Sequence, residues 1–360
     1  MRPFLQKGED ATGAEVSVVV PVYNGAPYAA RCVACLKAQT LRNVEFFIVD
    51  DASTDSTVAD LEREIAGDAR FRLLRQDARL GPLSARSRGV FAASAPVVMF
   101  MDFDDEIVPE ACATVVETMA RTGAEVFCYA GVAVGEDWSD AKALERCRAY
   151  LARRAAFQGA CEGREKCAEL FFVDSGLTLA SWDKAARTDL LKRVYAMIGN
   201  GDGLLCAQDS LQTTILFLMA ESVFVDQSKL LYVYHYGAGM MGHRVGDVTW
   251  EQFMRRMTAI DTYNALCRIL DGMPGLDASL RGTVRSKFLN NVRSSALPQV
   301  WKLPPGLVQD GLEVITRKWG SEGRAFAERK RPKRMLGFFA RARRKIAGLL
   351  RRVSGKGEHR

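Results

Sequence analysis

The sequence predicts an α/β protein, with a mainly parallel sheet covered by helices on both faces and a helical C-terminal region. Three observations predict it. Over the first hundred residues, apolar runs of strand length alternate with helix-like segments in a β-α-β-α order. The runs VSVVVPV (16–22) and VEFFIVD (44–50) are apolar along nearly their whole length, as strands buried on both faces are. The polar clusters Tyr23-Asn24, Asp50-Asp51 and Asp102, Asp104 and Asp105 all stand at the carboxyl ends of such runs, where open α/β sheets bind ligands.

The elements follow in order. The first strand (16–22) breaks at Asn24-Gly25, and Pro27 suits the first turn of a helix reaching about Gln39. The second strand (44–50) ends in Asp50-Asp51, and Ser53-Thr54-Asp55 starts the next helix. FRLLRQ (71–76) is a third strand, GPLSARSRGVFAAS (81–94) a helix opened by Gly-Pro, and VVMFMD (97–102) a fourth strand. From 110 to 180 the pattern is helical and less regular, and 171–193 mixes a short extended piece with a helix. Residues 199–220 start Gly-rich and become a helix with Gln208 and Asp209 in its first turns. SVFVDQSKLLYVYHY (222–236) reads as two edge strands, and 250–325 as mainly helical. No internal repeat is visible.

Composition narrows the function classes. A chain of 360 residues with 48% hydrophobic and 26% charged residues has a globular core. No apolar run approaches the ~20 residues of a membrane span, and the opening MRPFLQKGED lacks a signal-peptide core. A cytoplasmic location is expected. The nine cysteines fit a reducing compartment, since no framework spacing appears. Cys32 and Cys35 form a C-x-x-C without a second pair, so they read as packing residues on a helix. The net charge of +7 is uneven. Residues 329–360 carry 13 Lys or Arg and one acid, a net +12, and the remainder is −5. The mildly acidic body argues against nucleic-acid binding.

The carboxyl-end clusters suggest a chemistry. Asp102-Phe103-Asp104 is a D-x-D after an apolar strand, and such carboxylates with a ligand diphosphate suit Mg²⁺ or Mn²⁺. The plain alternative is an acidic loop leading to the helix after Pro109. Asp50 can accept an N–H from a nucleotide base, and Tyr23 offers a ring face to stack on it; an N-cap and an aromatic lid are the bland readings. Asp209, a hundred residues further on, is a candidate general base or a helix-start acid favoured by the dipole. His235 and His243 are candidate additional metal ligands or ordinary polar packing residues.

Together these stretches resemble the family 2 glycosyltransferases of the GT-A fold. VSVVVPVYNG (16–25) is similar to the family's opening strand and loop, and VEFFIVDDASTDST (44–57) to its second motif. GPLSARSRG (81–89) resembles G-x-x-x-A-R-N-x-G, with Ser87 where Asn is usual. FMDFDDEIVPE (100–110), SWDKAARTDLL (181–191), AQDS (207–210) and LLYVYHYGAG (230–239) resemble the later motifs, with Gln208 in place of the usual Glu. The resemblance covers roughly 15–240 and implies an inverting transfer from a nucleotide-sugar, usually a UDP-sugar, to a hydroxyl of a glycan or lipid-linked acceptor. On this sequence Pro21, Tyr23, Asn24, Asp50, Asp51 and Arg86 would form the donor side. Asp102 would contact the ribose or the metal, Asp104 would bind the metal, and Asp209 would be the base. Trp182, Lys184, Asp105 and Gln208 would lie in the sugar and acceptor region. The organisation expected is an arm (1–14), a catalytic domain (15–240) with a nucleotide-binding half (15–110) and an acceptor half (111–240), a helical region (241–327) and a basic tail (328–360).

In that tail Met335, Phe338, Phe339, Ala342, Ile346, Leu349, Leu350 and Val353 share one helical face, with Arg and Lys on the other. This pattern suits an anionic membrane surface and would place the protein on the inner face of the cell membrane, near a cell-surface polysaccharide or glycolipid pathway. Two rival readings stand beside the transferase. A sugar-phosphate nucleotidyltransferase also uses a nucleotide-binding sheet and a metal, but Val22-Tyr23-Asn24-Gly25 stands where its Gly-rich basic loop belongs. An inactive domain that binds a sugar nucleotide, or serves as a scaffold for a partner, is kept open by Ser87 and Gln208, and Asp104 and Asp209 speak against it.

Overall fold

The structure, a computed structural model, describes residues 13–135, 141–152, 157–172, 177–199, 201, 203–237 and 248–332. Strands β1 (Val16–Val22), β2 (Val44–Asp50), β3 (Phe71–Arg75) and β4 (Val97–Phe100) form the parallel half of one sheet in the order β3-β2-β1-β4. They alternate with helices α1 (Ala29–Lys37), α2 (Thr57–Ile65) and α3 (Pro82–Ala92). All seven residues of β1 are buried. Its period of two sends side chains to both faces. Val16, Val18, Val20 and Val22 share a core with Cys32, Val33 and Leu36 of α1 and Leu61 of α2. Val19 points the other way, onto α3, where a Cβ on Gly89 would come within 2.4 Å of its methyl. Glycine at 89 is therefore what lets α3 lie close on β1. Cys32 and Cys35 are buried on α1, and burial pushes the Cys35 thiol up to about 12.

The second half holds β5 (Glu106–Ile107), α4 (Ala111–Thr122), β6 (Val126–Gly135), α5 (Ala141–Leu151), β7 (Gly159–Glu162), α6 (Arg164–Phe172), β8 (Lys184–Arg187), α7 (Thr188–Ile198), α8 (Gln208–Met219) and β9 (Ser222–Tyr236). The nine-stranded sheet runs β3-β2-β1-β4-β8-β6-β9-β5, with β7 also on β9. β8 is antiparallel to β4 and β6, and β5 and β7 are antiparallel to β9, so the sheet is mixed.

The structure departs from the sequence expectation in two segments. The region 110–180 contains strands β6 and β7 as well as helices. β6, VFCYAGVAVG, is diluted with Ala and Gly and flanked by Ala-rich helical stretches, which hides its strand signal. Its Gly131 is needed, because a Cβ there would meet Tyr232 O at 2.9 Å and the Trp182 ring at 3.0 Å. Residues 222–236 form one interior strand, not two edge strands. The polar Asp226-Gln227-Ser228 that reads as a break is absorbed by a register shift against β6, with Asp226 Oδ1 accepting the Ser228 N–H at 3.1 Å.

The C-terminal part is helical: α9 (Trp250–Met257), α10 (Ala259–Gly272), α11 (Ala278–Ala296) and α12 (Val308–Arg329). Thr249 and Gln252 form a capping box at α9. The chain divides into two compact units, Met1–Gly246 with Asp261–Phe288 and Asp247–Ile260 with Leu289–Arg360. In the second, Trp301 Nε1 donates to Ala327 O at 2.7 Å. Among the described residues no helix is long and apolar enough to cross a membrane. The amphipathic pattern of the basic tail lies outside the described residues from 333 onward.

Candidate active site

The turn after β4 carries the acidic cluster. Asp105 N donates to Asp102 O at 3.1 Å and closes a tight turn. Asp105 is only 1% exposed, and its carboxylate accepts the Tyr232 hydroxyl at 2.8 Å and the His235 N–H at 2.7 Å. The same Tyr232 oxygen accepts the Asp102 N–H at 3.0 Å. Burial pushes the Asp105 carboxyl well above the usual range, and the Asp104 and Asp102 charges add to it. β9 thus braces the turn through Asp105. Asp104 is half-buried, and its backbone carbonyl accepts Arg31 Nη2 from α1 at 2.6 Å. His235 Nε2 lies 2.6 Å from Glu106 Oε2.

Arg86 joins this turn to Asp209. Its guanidinium is 2% exposed; Nη2 donates to Asp102 Oδ1 at 2.8 Å and Nη1 to Asp209 Oδ1. The two carboxylates keep about 30% of their side-chain surface (29% and 30%), so the buried cation faces inward and the acids open outward. Both acids hold Arg86 firmly charged despite its burial. Burial pushes the Asp102 carboxyl up, Arg86 opposes this, and Asp209 adds to it. Asp209 reaches this place because the preceding loop folds back onto the loop that opens α3: Gly203 N donates to Leu80 O at 3.1 Å, and Ala207 takes φ 60° to start α8. Thr262 Oγ1 ties the same loop down at Cys206 O, 2.7 Å away.

On the other side of the turn lie the residues expected to face the nucleoside. Asp50 is buried and its carboxylate accepts the Ser53 N–H at 3.2 Å. Asp51 accepts Gln76 Nε2 and the Leu80 N–H, both at 2.7 Å, and the Gly81 N–H at 2.9 Å, so it organises the loop that opens α3. Asn24 has φ 50°, and its Oδ1 accepts the Thr54 N–H at 2.8 Å, clamping two strand-end loops together. Tyr23 lies under Arg79, whose guanidinium carbon is 3.9 Å from the ring centroid. Pro21 is buried in β1 beyond the last β1–β4 pair, Val19–Phe100, where its missing N–H costs no ladder bond.

Other sequence-predicted residues sit deeper. Trp182 stacks on Tyr232 with centroids 4.4 Å apart and planes at 20°. Lys184 is buried; its Nζ donates to Asp183 Oδ1 at 2.5 Å and to the carbonyls of Thr178 and Ala180 at 2.9 Å. Gln208 is half-buried at the start of α8. His243 lies outside the described residues. The structure thus brings Arg86, Asp102 and Asp209 together and puts Asp104 on the same turn as Asp102, while Lys184 and Asp105 serve internal contacts. Sequence reading missed Arg31, Glu106 and Tyr232, because no local motif marks a contact made across 73 to 130 residues, and it missed Arg79, whose ring partner Tyr23 is likewise remote in sequence. Among the described residues no group of three or more His, Cys, Asp or Glu is placed to hold a metal ion. Asp102 and Asp104 fit a hard divalent cation by their oxygen chemistry, provided that a ligand such as a diphosphate supplies further oxygens.

A parallel half-sheet with acids at its carboxyl ends, joined to a mixed second half, is the frame in which the chain compares with known proteins. The glycosyl transferase family 2 model matches residues 17–176. Over those residues the chain is similar to the glycosyl transferase family 2 domain. The match spans β1 to the D-x-D turn and on past α6. The glycosyltransferase GlyG of Streptococcus pneumoniae is 32% identical over 31% of this chain and 37% of its own length. The succinoglycan biosynthesis protein ExoO of Rhizobium meliloti is 35% identical over 31% of this chain and 32% of its own. The chain thus aligns with about a third of each of these relatives. Among solved structures, TarS of S. aureus in complex with UDP superposes with a TM-score of 0.61 over 88% of both chains at 19% identity, and shows that the fold is shared. TarS has also been crystallised with UDP-GlcNAc.

Proposed function

We propose that the protein is an inverting glycosyltransferase that moves a sugar from a UDP-sugar to a hydroxyl acceptor. The observation that carries this reading is the Arg86 bridge, which puts Asp102, on the donor side, and Asp209, the proposed base, on one buried guanidinium. The relatives' names and the UDP complexes of TarS support the donor class, and the name of ExoO supports a place in polysaccharide assembly.

Asp50 and Tyr23 form the nucleoside end, with Arg79 shifting from the Tyr23 ring as the base stacks there. Asp102 and Asp104 would hold Mg²⁺ or Mn²⁺ together with the diphosphate. Such an ion offsets the charge that grows on the leaving diphosphate. Asp209 accepts the proton of the acceptor hydroxyl as its oxygen bonds to the anomeric carbon. The bond to the diphosphate oxygen breaks on the opposite face, carrying away the electron pair. Arg86 Nη1 donates to Asp209 Oδ1 and aims the carboxylate that receives the proton. Gln208, beside Asp209, bears on the acceptor.

A thermal-shift panel of UDP-sugars with Mn²⁺ or with EDTA tests the donor reading. One UDP-sugar should raise the melting temperature with Mn²⁺, because a ligand bound only by the folded state stabilises it, and Asp104→Ala should abolish that rise. No rise with any nucleotide would exclude the donor reading in favour of a scaffold. The basic residues 329–360 support a second element of the proposal, contact with an anionic membrane that carries a lipid-linked acceptor. The protein should float with vesicles containing an anionic phospholipid and not with neutral ones, and deletion of 333–360 should end flotation.

A further inference from the structure

We infer that Arg31 is a positioning residue that sets the affinity of the Asp102–Asp105 turn for a divalent cation. The inference rests on the donor reading above and adds to it a residue outside its motifs. Three carboxylates occur within four positions of this turn, and like charges at such spacing repel. One flank of the turn is fixed by β9 through Asp105, as described. The other flank meets α1. Arg31 Nη2 donates to the Asp104 carbonyl at 2.6 Å, a charge-assisted bond shorter than most neutral ones. The guanidinium also lies 5.4 Å from the Tyr28 ring centroid, within cation–π range.

The consequence is local and specific. The Asp104 carbonyl belongs to the peptide that joins Asp104 to the braced Asp105. With Asp105 held by Tyr232 and His235 and the Asp104 carbonyl held by Arg31, that peptide plane cannot rotate. The direction in which the Asp104 side chain leaves the backbone is then set before any ligand arrives. Arg31 also brings a positive charge to the peptide of a thrice-acidic turn, which offsets part of the repulsion that orders the carboxylates against one another. Groups that orient a ligating side chain in this way typically change metal affinity by about 10- to 100-fold when removed.

The test measures Mn²⁺ binding directly, by electron paramagnetic resonance of free Mn²⁺ in the presence of saturating UDP, on the full chain. Arg31→Ala should weaken Mn²⁺ affinity by about tenfold or more, Arg31→Lys by less, and UDP affinity in EDTA should stay within about twofold of wild type. Arg63→Ala, which removes an exposed arginine paired with Asp60 on α2, should behave as wild type. If Arg31→Ala does not fold, Arg31→Gln keeps an N–H donor without the charge and should still weaken Mn²⁺ binding. Mn²⁺ affinity equal to wild type in the folded variants, or an equal loss of UDP binding in EDTA, overturns the role of Arg31. Wild type that binds no Mn²⁺ with UDP overturns the donor reading itself, which is a separable result.

Discussion

Asp105 shows how a single residue in this turn is held against its own chemistry. It is buried beside two other carboxylates, and its pKa is raised well above that of the unfolded chain. Below about pH 4 the carboxyl is protonated in both states and is not penalised. As pH rises, the unfolded chain ionises first, so the folded state binds more protons and loses stability relative to it until the raised native value is passed. Asp105→Asn cannot titrate, yet its Oδ1 can still accept the His235 N–H while its Nδ2 donates to the Tyr232 oxygen. The stability of Asp105→Asn relative to wild type should therefore grow as pH rises from about 4 toward neutral, measured by urea unfolding at stepped pH. Parallel curves would show that Asp105 is not charged at a cost. Arg86 belongs to the same scale. Lysine donates from a single nitrogen and cannot reach Asp102 and Asp209 with the two separate nitrogens of a planar fork.

Strand β9 does at the scale of an element what no single residue of the turn does. From one strand come Tyr232, which binds both ends of the turn, and the His235 N–H, which completes Asp105. Tyr232→Phe keeps the ring stacked on Trp182 but removes the hydroxyl, leaving a buried N–H and a carboxylate each short of a partner. That should cost about 1–3 kcal/mol of unfolding free energy in urea; no loss would show that water replaces the hydroxyl. The elements of the first half were legible because their signals are local: the apolar runs at 16–22 and 44–50 and the Gly-Pro start of α3 lie within single windows. β6 and the unbroken course of β9 were not legible. Ala and Gly dilute β6, and the polar Asp226-Gln227-Ser228 in β9 is tolerated because β6 pairs with the strand on both sides of it.

Across the whole molecule, the acids of the site were legible one by one, and their grouping was not. Asp102 and Asp209 stand out as carboxylates at a strand end and a helix start. That they meet on one arginine depends on a Gly-rich loop folding back to Leu80, which neither segment encodes alone. The charge division between a mildly acidic body and a basic tail was visible from counting alone. In the proposed reaction the acids divide the work, Asp102 and Asp104 serving the donor and Asp209, joined to Asp102 through Arg86, the proton. That division is tested most directly by comparing wild type with Asp209→Asn for UDP affinity and for turnover of the UDP-sugar that stabilises the protein. UDP affinity should stay within about twofold of wild type and turnover should fall by roughly 10²- to 10⁴-fold, the range of a lost general base. Unchanged turnover would contradict that division.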